Sequence, residues 1–231
     1  MSNYACSDLH GQYDLYKKIK SYINENDTVY FLGDAVDRGP ESWKTFKAVY
    51  EDPQFIFLKG NHEQMLVAAM EDYVATGSIK SSNCQLYYSN GGRDTLKSWI
   101  NEGADPYWID KIKKLLLVAK VKEDNKTIIL CHAGYTPEYR KPVPTEDSLL
   151  WSRSHFKDHW DFKNYSDTYI VHGHTPWCYL DSKYYEDDDP VIISYGEGHK
   201  FCIDCGSFYT GITTLFDLKT FNPIYFSLQE D

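Results

Sequence analysis

Thr28-Val29-Tyr30-Phe31-Leu32-Gly33-Asp34-Ala35-Val36-Asp37-Arg38-Gly39 is the stretch that decides the fold. Its first five residues are β-branched, aromatic or apolar, a composition that suits a buried strand. The run then halts at a glycine and becomes a turn carrying two carboxylates and one arginine. In α/β sheets, ligands bind at the carboxyl ends of strands, where such turns project.

Working outward, the same rhythm repeats. Tyr4-Ala5-Cys6 predicts a short strand, and Leu15, Ile19 and Ile23 predict a helix over Gly11 to Asn24. Glu41 to Tyr50 follows Pro40 as a second helix, because proline suits a first helical turn. Phe55-Ile56-Phe57-Leu58 predicts a third strand, and His62 to Ala75 a third helix. Alternating strands and helices predict a parallel sheet with helices on its faces. From about 77 to 115 the pattern is helical and less regular. Gly92 to Ile100 and Pro106 to Leu116 are helix candidates, the latter capped by Asp105. This segment reads as a helical cap on a single domain spanning 1–231. Val118 to Val121 and Thr127 to Cys131 bracket a polar turn and predict a hairpin. Strands follow at 169–171, 191–193, 201–203, 211–217 and 224–228.

Bulk properties bound the class. The chain has 231 residues, 42% hydrophobic and 25% charged, with a formal net charge of −10. That composition is globular, and the length supports a sizeable core without disulfides. A negative balance argues against a protein that wraps nucleic acid, which needs basic surface to replace counterions. The start of the chain lacks a basic segment followed by an apolar run, and apolar runs such as Leu115 to Ala119 are far below membrane-spanning length. The expectation is a soluble cytoplasmic protein with no membrane partner. Cysteines at 6, 84, 131, 178, 202 and 205 are expected reduced. Cys202 and Cys205 have C-x-x-C spacing, but no second pair exists, so they read as strand and turn residues.

Five predicted strands run into residues able to bind metal: Ser7-Asp8-Leu9-His10-Gly11, Gly33 to Gly39, Gly60-Asn61-His62-Glu63, His132-Ala133-Gly134 and His172-Gly173-His174-Thr175. Any one such turn is weak evidence, since Asp-x-His recurs by chance and a lone histidine after a strand is more often structural. Five in order are another matter. The donors are oxygen and nitrogen without thiolate, which suits manganese, zinc, iron or nickel. Alternation along a strand would point Asp8 and His10 to one side. Two ions roughly 3.5–4 Å apart can lower the pKa of a shared water, and an arginine matches phosphate bidentately.

Together these blocks resemble the signatures of the phosphoprotein phosphatase family within the calcineurin-like metallophosphoesterases, over about residues 4 to 206. The resemblance implies a central β-sandwich flanked by helices, with a dinuclear metal centre at one edge. It implies that Asp8, His10 and a bridging Asp34 hold one metal, and that Asp34, Asn61, His132 and His174 hold the other. Arg38 would clamp phosphate, with Asn61 beside it. Arg153, in Leu149-Leu150-Trp151-Ser152-Arg153, resembles a second phosphate-binding arginine. His62 would protonate the leaving oxygen, oriented by Asp37. Two divalent ions per chain, manganese first and iron, zinc or nickel otherwise, would supply hydroxide for direct attack.

The expected activity is hydrolysis of phosphoserine and phosphothreonine in a phosphoprotein or phosphopeptide, with phosphotyrosine and aryl phosphates also accepted. A symmetrical diadenosine tetraphosphate hydrolase shares nearly all the metal motifs and stands as the alternative. A non-catalytic scaffold would be expected to lose a ligand, and none of the expected positions is lost. The remaining residues carry plainer expectations. His172 reads as structural or as a support behind the ligands, and Glu63 as a support for its turn or helix. His155, His159 and His199 read as surface residues, and Tyr209 as core or surface unless it lines the cleft. Cys205 stands where the family pattern has threonine in Asp-Thr-Gly, a departure expected to affect packing only. The acidic run Glu186 to Asp189 reads as a solvated loop.

Overall fold

The structure is a computed structural model that describes residues 1–135, 144–156, 166–180 and 192–229. In chain order the elements are β1 (Asn3–Cys6), α1 (Tyr13–Tyr22), β2 (Thr28–Phe31), α2 (Ser42–Glu51), β3 (Phe55–Phe57) and α3 (Asn61–Thr76). Then come α4 (Ser82–Ser89), α5 (Arg93–Asn101), α6 (Tyr107–Lys113), β4 (Val118–Glu123), β5 (Lys126–Cys131) and α7 (Glu146–Trp151). The remainder are β6 (Thr168–His172), β7 (Ile193–Tyr195), β8 (Lys200–Cys202), α8 (Ser207–Thr210), β9 (Ile212–Asp217) and β10 (Pro223–Ser227). Val191, the acidic run at 186–189 and His159 lie outside the described residues.

Two five-stranded sheets carry the architecture, in the orders β10-β9-β1-β2-β3 and β4-β5-β6-β8-β7. β1, β2 and β3 pair in parallel, as the strand–helix alternation predicts, while β9 and β10 add an antiparallel edge. In the second sheet β4 and β5 form the predicted hairpin, and β5, β6 and β8 run parallel.

The two faces of the first sheet part company. Tyr4 and Cys6 face the helical layer, where Leu15, Ile19, Trp43, Phe46, Leu66 and Trp99 are buried with them. Ala5, between them in sequence, faces the other way, into a layer with Leu130, Val171, Phe201 and Phe216. This is the period-two alternation of a strand. The strand–helix rhythm alone predicts helices on both faces. Among the described residues only one face has them, and the other packs on the second sheet to give the sandwich that the resemblance implied.

The 77–115 stretch forms α4, α5 and α6. Cys84, Tyr87, Leu96, Trp99, Ile109 and Ile112 from these helices are buried in the same cluster as α1 and α2. Asp105 accepts the Tyr107 N–H at 2.9 Å, but α6 starts one residue later than expected, with Pro106 rather than Asp105 at its N-cap. All six cysteines are free. No helix among the described residues is long and apolar enough to cross a membrane.

Candidate metal centre

The functional turns lie at one edge of the sandwich, where the carboxyl ends of β1, β2 and β3 meet those of β5 and β6. Hydrogen bonds join the sheets there: His132 Nδ1 donates to the Leu32 carbonyl at 2.7 Å, and the His174 N–H donates to Asp8 Oδ2 at 3.0 Å.

The backbone at this edge is strained. Among the described residues ten non-glycine residues have positive φ, and six of them are Asp8, His10, Asp34, Asp37, Arg38 and His174. Each costs on the order of 1–3 kcal/mol and persists only where the surroundings fix it. Strand alternation is therefore the wrong reason for the Asp8–His10 pairing. β1 ends at Cys6, and the two residues sit in left-handed backbone at φ 53° and 42°.

Asp34 occupies the middle. Its Oδ2 is 3.5 Å from His132 Nε2, 3.8 Å from His10 Nε2 and 3.9 Å from His62 Nε2. Two groups of donor atoms compact enough to hold an ion share it: His10, Asp34 and His62, and Asp34, His132 and His174. Asp8 belongs to neither triplet. Its Oδ2 accepts from the His174 N–H and the Ser7 hydroxyl, and its carbonyl accepts from Ser207 Oγ.

The donor set fits cations. His10 donates Nδ1–H to the Val36 carbonyl at 2.9 Å, and His132 uses Nδ1 likewise, so both turn an Nε2 lone pair inward. His132 Nε2 stands 2.8 Å from Asn61 Oδ1, where two acceptors face each other. His174 Nδ1 lies 3.0 Å from the same oxygen, and its buried Nε2 has no partner among the described residues. Converging acceptors in a buried site need a positive charge between them. Protons are a poor answer here. Burial, reinforced by neighbouring histidines and Arg38, holds His10 well below the ordinary histidine range. Burial with neighbouring histidines and Arg153 does the same to His174, and burial also lowers His132. Divalent ions could be held by these atoms.

Three further arrangements frame the centre. Glu63 is fully buried, and its carboxylate accepts the N–H groups of Asp34 at 2.8 Å, Ala35 at 2.9 Å and Gly60 at 2.9 Å. It thus supports its turn while standing in the first turn of α3. His62 donates Nδ1–H to Asp37 Oδ2 at 2.7 Å. Asp37 Oδ1 accepts from the Tyr87 hydroxyl and from Thr95 Oγ1, the latter at 2.7 Å. Burial pushes the Asp37 carboxyl up to about 7, against the lowering by these two donors and by Arg38. Arg38 is exposed, with Nη1 2.7 Å from His10 Nε2 and Nη2 3.0 Å from His62 Nε2. Arg153 is exposed too, and its charge reaches His132, His174 and Asp204.

His172 is buried, with Nε2 2.7 Å from the Tyr195 hydroxyl. His155 is not a surface residue. It is buried edge-on against His172, with ring centroids 4.5 Å apart. Gly134 makes this possible, since a Cβ there would lie 2.5 Å from His155 Nδ1. His199 is half-buried and stacks on Tyr169. Tyr209 is exposed, its hydroxyl 3.3 Å from that of Tyr179. Sequence reasoning misses Tyr87 and Thr95, because they lie 50 and 58 residues from Asp37 in a helical stretch without a motif.

The calcineurin-like phosphoesterase family model matches residues 1–219. The chain belongs to that family, and it is a hydrolase of the metallophosphoesterase class. It is 26% identical to serine/threonine-protein phosphatase 2 of Salmonella typhimurium over 94% of this chain and 92% of that protein. It is 32% identical to the symmetrical bis(5'-nucleosyl)-tetraphosphatase of Wigglesworthia glossinidia brevipalpis, over 60% of this chain and about half (47%) of that protein's length. A solved structure described as a putative diadenosine tetraphosphatase superposes with a TM-score of 0.65 at 15% identity, covering 97% of this chain and 92% of that one. This last likeness speaks to fold alone.

Proposed function

We propose that the protein is a metal-dependent phosphomonoesterase acting on phosphoserine and phosphothreonine in proteins, with phosphotyrosine as a further substrate. The observation that carries the chemistry is Asp34, one carboxylate shared by two donor clusters within reach of an arginine and a carboxylate-paired histidine. For protein as the substrate, the support is a similarity that runs nearly the full length of both chains to a serine/threonine phosphatase.

In this reading Asp8, His10 and Asp34 hold one ion, and Asp34, Asn61, His132 and His174 the other. Manganese is the proposed metal, with iron, zinc and nickel accepted by the same donors. Held by these residues, two divalent ions would supply an activated water and neutralise phosphate charge. The chain's own groups do the rest. Arg38 and Arg153 grip the phosphate, with Asn61 beside them, and Arg38 matches its oxygens bidentately. His62 delivers a proton from Nε2 to the leaving oxygen while Asp37 fixes the ring through Nδ1.

In the free chain, burial and the charge of Arg38 hold His62 well below the ordinary histidine range. A dianionic phosphate drawing Arg38 onto itself would relieve the smaller of these two causes and free Nε2 to face the leaving group. The protein is proposed to work in the cytoplasm.

A symmetrical diadenosine tetraphosphatase is the second reading, supported by relatives of that name. Manganese-loaded protein is expected to dephosphorylate phosphoserine and phosphothreonine peptides faster than it cleaves diadenosine tetraphosphate. The reverse order would overturn the proposal in favour of the second reading.

A further inference from the structure

The geometry points to Tyr87 and Thr95 as positioning residues for proton delivery: together they hold Asp37 so that its remaining oxygen can orient His62. The inference rests on the phosphomonoesterase reading above, since it concerns how that reaction's proton donor is held.

Both hydroxyls donate to one oxygen of Asp37, Oδ1, and His62 Nδ1 takes the other, Oδ2, at 2.7 Å. Each hydroxyl has one proton, and each proton is committed. Thr95 Oγ1 donates to Oδ1 at 2.7 Å and in return accepts the Asp37 N–H at 3.2 Å. Asp37 is therefore held at both its backbone and its carboxylate by one side chain. With two donors on Oδ1, the carboxyl is addressed as an acceptor, the state that receives the His62 Nδ1–H. That leaves His62 Nε2 as the atom turned toward substrate, from which the doubly protonated ring would give up a proton.

The surroundings are shaped for this arrangement. Tyr87, Thr95 and Asp37 are each at most 1% exposed, so these bonds form away from water, where they are strongest. The Tyr87 ring lies against Gly92, where any Cβ would collide with it. One residue earlier, Gly91 adopts φ 93°, and its carbonyl accepts the Arg38 N–H at 3.1 Å. A Cβ on Gly91 would fall 2.9 Å from Arg38 Cγ. The α4–α5 connection thus fixes two consecutive residues, the carboxylate that orients the proton donor and the arginine proposed to grip phosphate. Its helices are more than packing on the sheet.

A purely structural role would weaken every substrate alike. A positioning role weakens those whose leaving group needs a proton. The test compares kcat for an alkyl phosphate, whose alkoxide leaves poorly, with kcat for p-nitrophenyl phosphate, whose phenolate leaves unaided. Tyr87→Phe and Thr95→Val are expected to lower kcat on the alkyl ester about tenfold, part of the usual general-acid contribution, with little change on the aryl ester and in KM. Thr95→Ser, which keeps the hydroxyl, restores the alkyl rate. A second readout needs no turnover: the downfield proton resonance of His62 Nδ1 in the zinc-loaded protein, assigned by its loss in His62→Asn. It is expected to move upfield in Tyr87→Phe and Thr95→Val and to stay in place in Thr95→Ser. Equal loss on both esters, or an unmoved resonance, overturns the inference. If the unmodified protein turns over neither ester, the phosphomonoesterase reading fails, and the resonance alone decides whether Tyr87 and Thr95 hold the Asp37–His62 pair.

Discussion

Glu63 Oε2 accepts the backbone N–H of Asp34 at 2.8 Å, so the carboxylate central to the site is seated by another carboxylate 29 residues away. The same side chain also takes the N–H groups of Ala35 and Gly60. It ties the turn after β2 to the turn after β3. Glu63→Ala would leave three buried donors unpaired, each costing about 1–3 kcal/mol. The expected loss is therefore at least about 3 kcal/mol, read as a lower urea midpoint. Glu63→Gln keeps the shape and acceptor oxygen but presents N–H groups to one or two donors, so an intermediate loss is expected. Equal stability of all three proteins would rule out this role.

Asp34 contributes to both donor clusters, so its charge matters twice. Asp34→Asn is expected to reduce bound metal, measured by elemental analysis after dialysis, and to lower turnover by about a thousandfold or more, the scale on which metal-assisted activation operates. Chelation of the unmodified protein gives the complementary result. Removing an ion present at a hundredfold excess over its Kd forfeits about 2.7 kcal/mol, or roughly 5–10 °C in Tm for a chain of this size. A Tm indifferent to chelator would mean that the converging acceptors are not a metal site.

Arg38 supplies two nitrogens that face His10 and His62 at 2.7 and 3.0 Å. Lysine has a single charged point and cannot reproduce that fork. Arg38→Lys is expected to raise KM and lower kcat/KM by about tenfold, and Arg38→Ala by about a hundredfold, since each lost charge-assisted hydrogen bond is worth roughly 1.5–3 kcal/mol. Steady-state kinetics with one aryl phosphate would show it. An unchanged KM in both variants would remove Arg38 from the phosphate site.

What can be read in the sequence depends on how local the cause is. The turns after β1, β2, β3, β5 and β6 announce themselves, because a short apolar run that stops at glycine and ionisable residues marks a strand end presenting polar groups. The convergence of Asp8 and His10 is harder, because local alternation says nothing of a strand that stops at Cys6 and enters left-handed backbone. The second sheet lies beyond a parallel-sheet argument, since the face it covers looks no different in sequence from a face covered by helices. Tyr87 and Thr95 are further out of reach. They meet Asp37 only through the packing of α4 and α5, and an aromatic or a threonine in a helix usually means core. Polarity alone would assign His155 to the surface. Its burial depends on the space left by Gly134, 21 residues earlier, a relation that no periodicity encodes.

That buried histidine makes a pH-dependence testable. Burial, with help from His172, Lys200 and Arg153, lowers His155 to about 2, and burial lowers His172 to about 3. The unfolded chain titrates its histidines near 6.5. Above that value neither state binds these protons, and the stability they allow is fully present. As pH falls below about 6.5 the unfolded chain takes up protons that the folded one refuses. Stability then declines by up to about 1.4 kcal/mol per pH unit for each histidine. The decline continues until the folded values are reached. Among the described residues, His155 Nδ1 and Nε2 have no hydrogen-bond partner, and Lys200 Nζ donates to the His155 carbonyl at 3.1 Å, which adds positive charge beside the ring. His155→Gln removes one titrating group while keeping a polar side chain of similar length. Its urea midpoint should fall less than that of the unmodified protein between about pH 7 and pH 5.5, a difference of roughly 1 kcal/mol. The comparison cancels every other titrating group, so identical declines in the two proteins would show that His155 is protonated freely in the fold.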